Sequence, residues 1–375
     1  MVNERRILDE FWQLTRITST SGKERQIADY LQEKSKTLGL AFYEDDAGQW
    51  VNGSAGNLII TLAPTGEVYH PVLLCAHLDT VEPAQDVQPV LENGIIRSRG
   101  ETILGADDKA GIAIILEALK VILENQIEHG GLEVVFTIWE EGGLFGAKNL
   151  NIDRLSARLG YVLDCDGAPG TIITRAPSQD RISAQIRGKA AHAGINPEDG
   201  VNAIFVAACA ISRMKIGRLD EETTANIGVI SGGRATNIVP DLVFVEGEAR
   251  SLVGARREKQ TRTMCAELTR TAGELGAKVD LETETLYHDF ALPENSKVVQ
   301  LALTAARNLG LSARLVSSGG GSDANIFNQR GIVCANLGIG MQKVHTKEEF
   351  IKLEDMVNSV RLLLEIIRLA KEVDR

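Results

Sequence analysis

Leu132-Glu133-Val134-Val135-Phe136-Thr137-Ile138-Trp139-Glu140-Glu141-Gly142-Gly143 is the stretch that decides how this chain is read. The run from Leu132 to Ile138 has the length and apolar character of a buried strand, and it ends in two adjacent carboxylates. Side chains alternate faces along an extended segment, but the alternation relaxes at a strand's end. One glutamate can then bind a metal while its neighbour reaches a water activated there. Alone, Glu140-Glu141 reads equally well as the start of a helix, where acidic residues complement the dipole.

Three further segments repeat the pattern. Val72 to Ala76 is a short apolar run between Pro71 and His77-Leu78-Asp79-Thr80, which puts His77 at the carboxyl end of a buried strand. Asp79, two residues on, is placed to orient an imidazole or a neighbour. Leu104-Gly105-Ala106-Asp107-Asp108-Lys109-Ala110-Gly111 leads into Ile112 to Leu123, an apolar segment of helical length; in isolation its two aspartates are a helix cap and a first-turn charge. Gly160 to Gly167 is a fourth apolar run, ending in Asp164 and Asp166, and in isolation it is a turn. A doubly wound sheet gathers the carboxyl ends of its strands into one crevice, where these residues would converge. His345, in Gly340-Met341-Gln342-Lys343-Val344-His345-Thr346, adds a second imidazole.

The order of these segments resembles the di-zinc exopeptidase superfamily of peptidase T, glutamate carboxypeptidase and aminoacylase, over nearly the whole chain. His77-Leu78-Asp79-Thr80, Gly105 to Gly111, Trp139 to Gly143, Gly188-Lys189-Ala190-Ala191-His192-Ala193-Gly194 and His345 occur in the family's order and approximate spacing. Leu104 to Gly111 and Val344 to Phe350 are most similar to the peptidase T branch. The resemblance implies that Asp107 bridges two metals, with His77 and one aspartate on the first and Glu141 and His345 on the second. Glu140 would be the general base. Asp164 aligns with the peptidase T pattern and Asp166 with the carboxypeptidase pattern, so both stand as candidate ligands.

The residue types suit that chemistry. Imidazoles and carboxylates without thiolates fit zinc, with cobalt or manganese as substitutes, and leave positions open for substrate. Two ions about 3.5–4 Å apart lower the pKa of a shared water and polarise the scissile carbonyl. Glu140 would take the proton and pass it to the leaving amine, and Asp79 would hold His77 in the right tautomer.

Composition bounds the rest. The chain has 375 residues, 44% hydrophobic and 24% charged, enough for a full core and two domains. A formal net charge of -11 argues against nucleic acid or an anionic membrane as partner. Met1 to Thr15 carries charges throughout, and no apolar run is long enough for a bilayer, so a cytoplasmic location is expected. Cys75, Cys165, Cys209, Cys265 and Cys334 are dispersed, odd in number and form no Cys-x-x-Cys, which argues against a disulfide framework or a structural zinc knuckle and predicts buried thiols.

Along the chain, Arg6 to Leu38 has helical periodicity broken at Ser19 to Glu24, where Ser21 and Glu24 have capping-box spacing for a second helix. Strands are expected over 57–62, 72–76, 133–138 and 161–163, alternating with helical patterns, which indicates α/β. From about Ser178 the character changes. Arg181 to Ile186, Ala225 to Ser231 and Leu242 to Ala249 read as half-exposed strands, and Val201 to Met214 and Arg256 to Leu275 as helices. The core pattern resumes with helices at Ser296 to Leu309 and Leu353 to Val373. With the resemblance, the expected architecture is a zinc-peptidase catalytic domain (1–177 and 291–375), its mixed sheet flanked by helices, and an inserted α+β lid and dimerisation domain (178–290).

The resemblance further implies a homodimer formed through the insert, with His192 steadying the tetrahedral oxyanion and Asn237 and Arg250 binding the substrate's carboxylate or polar end. Ser317-Ser318-Gly319-Gly320-Gly321-Ser322-Asp323 lacks the ending of a phosphate-binding loop; Asp323 is placed to cap a helix beginning near Ala324. The function expected is an aminopeptidase releasing the N-terminal residue of short peptides. A carboxypeptidase or N-acyl amino acid amidohydrolase is the nearest alternative, and a non-catalytic metal-binding protein the more distant one.

Overall fold

The computed structural model describes residues 1–66 and 70–372. The chain divides into two compact units: one comprises Met1–Thr174, Ala291–Ser318 and Ser322–Arg375, the other Arg175–Phe290 and Gly319–Gly321. The tripeptide Gly319–Gly321 groups with the second because the Tyr287 ring fills the space of a side chain at Gly321, whose Cβ would lie 2.3 Å from Tyr287 Cζ.

In the first unit, a mixed sheet runs in the order Ala41–Glu44, Leu58–Leu62, Leu132–Thr137, Val72–His77, Leu159–Asp166, Val333–Met341, Thr171–Ala176. Leu132–Thr137, Val72–His77, Leu159–Asp166 and Val333–Met341 are mutually parallel. Their carboxyl ends therefore lie along one edge. The strands are nearly continuous apolar runs because helices cover the sheet. Ala106–Asn125 is buried almost all round, between the Val72–His77 strand and the helices Glu4–Arg16 and Leu353–Glu372. Glu4–Arg16 turns Ile7, Leu8, Phe11 and Leu14 inward and is capped by Asn3, whose side chain accepts from Arg6 N at 3.1 Å. Arg6 in turn reaches the buried Glu117 of the central helix, Nη2 to Oε1 at 2.8 Å.

Several expectations are corrected here. The second helix, Arg25–Thr37, begins without a capping box. Ser21 Oγ donates instead to Asp79, and Glu24 Oε1 accepts from Gly22 N and Trp139 N, so tertiary partners displace the local cap. The sequence pattern gave no strand at Val333–Met341, because Gly338 and Gly340 interrupt it. A Cβ at Gly338 would stand 2.8 Å from the Gly167 carbonyl, so the glycine permits close approach of the two backbone segments. Pro89–Glu92, Ile95–Ser98 and Phe350–Lys352 form a small antiparallel sheet that is too short to announce itself. Val373, the expected end of the last helix, lies outside the described residues.

The second unit is an antiparallel sheet in the order Gly217–Arg218, Thr223–Gly232, Leu242–Ser251, Ser178–Arg187, Lys278–Tyr287. Ala203–Arg213 and Gly254–Glu274 cover one face, burying Ile182, Ile186, Val206, Val243, Met264 and Leu268. Asp180 is buried in this layer and accepts from Thr261 Oγ1 at 2.7 Å and Thr285 Oγ1 at 2.8 Å, with Arg257 Nε at 3.1 Å. Lys278–Tyr287 is mostly exposed; Val279 and Leu281 alternate against the core at its start, a period too short to mark the strand in the sequence.

Leu74, wholly buried at the middle of the Val72–His77 strand, tests this core. Leu74→Ala is expected to cost about 2–5 kcal/mol, read by urea unfolding followed by circular dichroism. A loss under about 1 kcal/mol would contradict close packing there.

Candidate metal centre

The edge formed by the four parallel strands delivers His77, Asp107, Glu140, Glu141 and Asp164 into one acidic crevice. His77 ends its strand, and its Nδ1 lies 2.8 Å from the Asp79 carbonyl oxygen. A carbonyl only accepts, so Nδ1 carries the hydrogen and Nε2 points inward. Nε2 is 2.9 Å from Asp107 Oδ1 and 3.8 Å from Asp164 Oδ1. The other oxygen of Asp107, Oδ2, lies 3.2 Å from His345 Nε2, which is 2.8 Å from Glu141 Oε1. Asp107 thus stands between the two imidazoles, one oxygen toward each.

Among the described residues, two groups place ligand atoms within 4.8 Å of one another: His77, Asp107 and Glu141, and His77, Asp108 and Asp164. Asp108 is already engaged as a brace, Oδ2 accepting from His77 N at 3.2 Å and Oδ1 from Gly111 N at 3.1 Å. A Cβ at Gly111 would meet that Oδ1 at 2.4 Å, so the glycine is what lets the helix approach. Asp166 stands outside both groups. It is exposed, whereas Asp164 is mostly covered and faces His77.

Burial drives the carboxyls of Glu140, Asp164 and Asp108 well above the usual range, and neighbouring carboxylates push the same way. Burial opposes charge on His77, yet the carboxylates of Asp107 and Asp79 hold its pKa well above the ordinary value. Hydrogen bonds to Asp107 and Glu141 push His345 up to about 10. Carboxyls that resist ionisation beside imidazoles that retain protons form the charge arrangement that a divalent cation satisfies, by displacing the protons and neutralising the oxygens. With no thiolate among the donors, the set fits zinc and its first-row neighbours.

Asp79 acts differently from the expectation. Its carboxylate is 3.6 Å from His77 Nδ1, beyond hydrogen-bond reach, and the backbone carbonyl orients the ring instead. The carboxylate accepts from Glu140 N at 2.9 Å, Glu141 N at 3.2 Å and Ser21 Oγ at 2.6 Å. Glu24 Oε1 takes the preceding nitrogen, Trp139 N, at 3.2 Å. Three successive peptide nitrogens are therefore held by two buried carboxylates. Trp139 has φ 51°, and its ring lies over Gly22 and Gly142, where Cβ atoms would meet it at 2.9 and 2.4 Å. The glycine after Glu141 is thus required by the tryptophan before Glu140. Asp323 is likewise no helix cap: Ser322 and Asn325 form the capping box, and Asp323 turns inward to accept from Thr137 Oγ1 at 2.5 Å.

Residues 73–369 match the family described as Peptidase family M20/M25/M40. The chain belongs to that family. It is 45% identical over 367 residues to the uncharacterized protein YqjE of Bacillus subtilis (strain 168), covering 98% of this chain and 99% of that one. Peptidase T of Escherichia fergusonii is 30% identical over 287 residues, 75% of this chain and 69% of that protein. Among solved structures, a tripeptidase from Staphylococcus aureus subsp. aureus Mu50 superposes with a TM-score of 0.94 at 46% identity, covering 99% of this chain and 100% of that one. Aminopeptidase PepT from Bacillus cereus ATCC 10987 gives 0.88 at 42%, covering 98% and 99%. The chain is an M20/M25/M40 peptidase of the peptidase T-like branch.

In this M20/M25/M40 chain the remaining candidates lie on the second unit. His192 is exposed, and its turn is joined to the Asn237 loop by Ala193 N donating to the Asn237 carbonyl at 3.0 Å. Arg250 does not present a free fork: its Nε and Nη2 both bond Glu248, at 2.9 Å each, and Gln179 shares the same carboxylate. Sequence reading missed Glu24 and Glu349 as site residues. Glu349 is buried and accepts peptide nitrogens on either side of Ala106; its only signal was its place four residues after His345.

Glu24 gives a pH-dependent test. Burial raises its carboxyl from 4.5 to about 7, and one of its oxygens is buried without a partner. The folded state keeps this proton while the unfolded state loses it, so stability falls as pH rises through that window. In metal-free protein, wild type is expected to lose up to about 3 kcal/mol relative to Glu24→Gln between pH 4.5 and 7. Parallel pH profiles in chemical unfolding of the two proteins would contradict this.

Proposed function

We propose that this chain is a zinc-dependent aminopeptidase that releases the N-terminal residue from short peptides, tripeptides foremost. The observation that carries the reading is Asp107, its two oxygens divided between His77 and His345. Asp107 would be shared by two ions, with His77 and Asp164 completing one position and Glu141 and His345 the other. Two Zn2+ there (Co2+ or Mn2+ as substitutes) would lower the pKa of a water and polarise the scissile carbonyl.

The chain's own residues do the rest. Glu140 is buried beside this donor set and is no member of either ligand group. Its carboxylate would accept the proton of the attacking water and return it to the leaving amine nitrogen. Asp79 fixes Glu140 by gripping its peptide nitrogen, so the base is aimed through the backbone. His192 would donate to the tetrahedral oxyanion, and Asn237 and Arg250 would hold the far end of the peptide. For Arg250 this requires the substrate's carboxylate to share or displace Glu248. The second unit would serve as lid and as the contact of a homodimer, and the expected location is the cytoplasm. The likeness to a tripeptidase and to aminopeptidase PepT over nearly the whole chain favours the N-terminal reading over carboxypeptidase or deacylase action.

Cleavage of unblocked, N-acetylated and C-amidated tripeptides by Zn2+-loaded enzyme, with mass detection and a chelated control, tests the proposal. Loss of the N-terminal residue, abolished by acetylation and by chelation, is expected. Release of a C-terminal residue or of acetate would transfer the assignment to the alternatives. Glu140→Gln is expected to retain its metal and lose about 10²–10⁴ in turnover; turnover at the wild-type rate would remove Glu140 from its role.

A further inference from the structure

The strand Val333–Met341 runs into a loop closed at its base by Gln342 and Phe350, which exchange both backbone hydrogen bonds, Gln342 N to Phe350 O at 2.9 Å and Phe350 N to Gln342 O at 3.1 Å. Inside the loop, Thr346 Oγ1 donates to the Lys343 carbonyl at 2.7 Å, and Glu349 N donates to the Thr346 carbonyl at 3.1 Å. His345 sits on this loop with φ 63°, and Glu349 at its base is 2% exposed.

Both residues reach the same aspartate. His345 Nε2 approaches Asp107 Oδ2 at 3.2 Å, and Glu349 Oε1 accepts from Asp107 N at 3.0 Å. Glu349 Oε2 also accepts from Leu104 N at 2.8 Å and Gly105 N at 2.7 Å. The turn that delivers Asp107 therefore hangs from one carboxylate, and that carboxylate belongs to the loop bearing His345. Both oxygens of the Glu349 side chain accept here, although burial raises its pKa to about 7; an amide would turn a donor toward one of three donors.

We propose that Glu349 is a positioning residue that locks the Asp107 turn to the His345 loop, making the two halves of the metal centre one mechanical unit. The inference rests on the two-ion reading above. Glu349 belongs to neither ligand group and bonds peptide nitrogens; it sets where the shared aspartate and the second imidazole stand with respect to each other. Loss of such a support around a metal ligand costs about 10–100-fold in affinity or activity.

Co2+ titration followed by calorimetry and visible absorption tests it, on wild type, Glu349→Gln and Glu133→Gln. Glu133 is the control, since its carboxylate also accepts peptide nitrogens, from Ser156 at 2.9 Å and Ala157 at 2.9 Å, but from the amino end of its strand. Glu349→Gln is expected to weaken the second Co2+ by roughly 10–100-fold, to alter its absorption band, and to lower kcat for a tripeptide with little change in KM. Glu133→Gln is expected to lower the melting temperature and leave both affinities as in wild type. Wild-type Co2+ affinities in Glu349→Gln, or an equal loss in Glu133→Gln, would overturn the proposal. Wild type binding fewer than two Co2+ would overturn the two-ion reading and this inference with it. Should Glu349→Gln not fold, Glu349→Asp keeps the acceptor-only head one methylene short, and wild-type affinity there would overturn the proposal equally.

Discussion

Negative charge concentrated at the carboxyl ends of four parallel strands is the constraint on which the first unit is built. Asp107, Asp108, Glu140, Glu141, Asp164 and Asp323 converge there out of water, where each ionised carboxylate would be costly unless paired or hydrogen-bonded. The unit meets that cost in two ways. Donors that face the centre are left for imidazole and cation. Those behind it are turned onto peptide nitrogens: Asp79 onto 140 and 141, Glu24 onto 139, Glu349 onto 104, 105 and 107, Asp108 onto 77 and 111. The supporting carboxylates thus tie down loops, ordinarily the mobile parts of a fold, that carry the candidate ligands.

What the sequence disclosed follows from how local each signal is. His77, Asp107, Glu141 and His345 were legible because each stands just past an apolar run or within a glycine-framed turn, and one strand edge collects them. The glutamates and serine that support them were visible as residue types but were read with local partners. Ser21 and Glu24 had the spacing of a capping box, and Asp323 the position of an N-cap; each would have bonded a backbone group a few residues away. Ser21 and Asp323 bond segments remote in sequence instead, and Glu24 adds the distant Trp139 N to the local Gly22 N. Asp79 shows the limit from the other side. The proximity to His77 was read correctly, yet its carbonyl, not its carboxylate, orients the ring.

The second unit was legible in outline through its alternating strands and two helices. The edge strand Lys278–Tyr287 was not, because its apolar alternation is confined to Val279 and Leu281 and most of the strand is exposed. Arg250 carries a related lesson. Glu248, on the same face of the strand two residues earlier, fills the fork of Arg250, a pairing that the spacing of the two residues already allows.

The order of the chain has a consequence for biosynthesis. Val333–Met341 completes the row of parallel strands against Leu159–Asp166, but the whole of 175–290 is made between them. Arg175–Phe290, the bulk of the second unit, is continuous in sequence and is made before Val333–Met341, its central strand Ser178–Arg187 pairing with the later Leu242–Ser251 and Lys278–Tyr287. The first unit must wait, with a distant strand and His345 still to come. During that interval the nascent chain holds an acidic edge without its last strand and without its second imidazole. On the two-ion reading, the position that uses His345 would be completed only after both units have been translated.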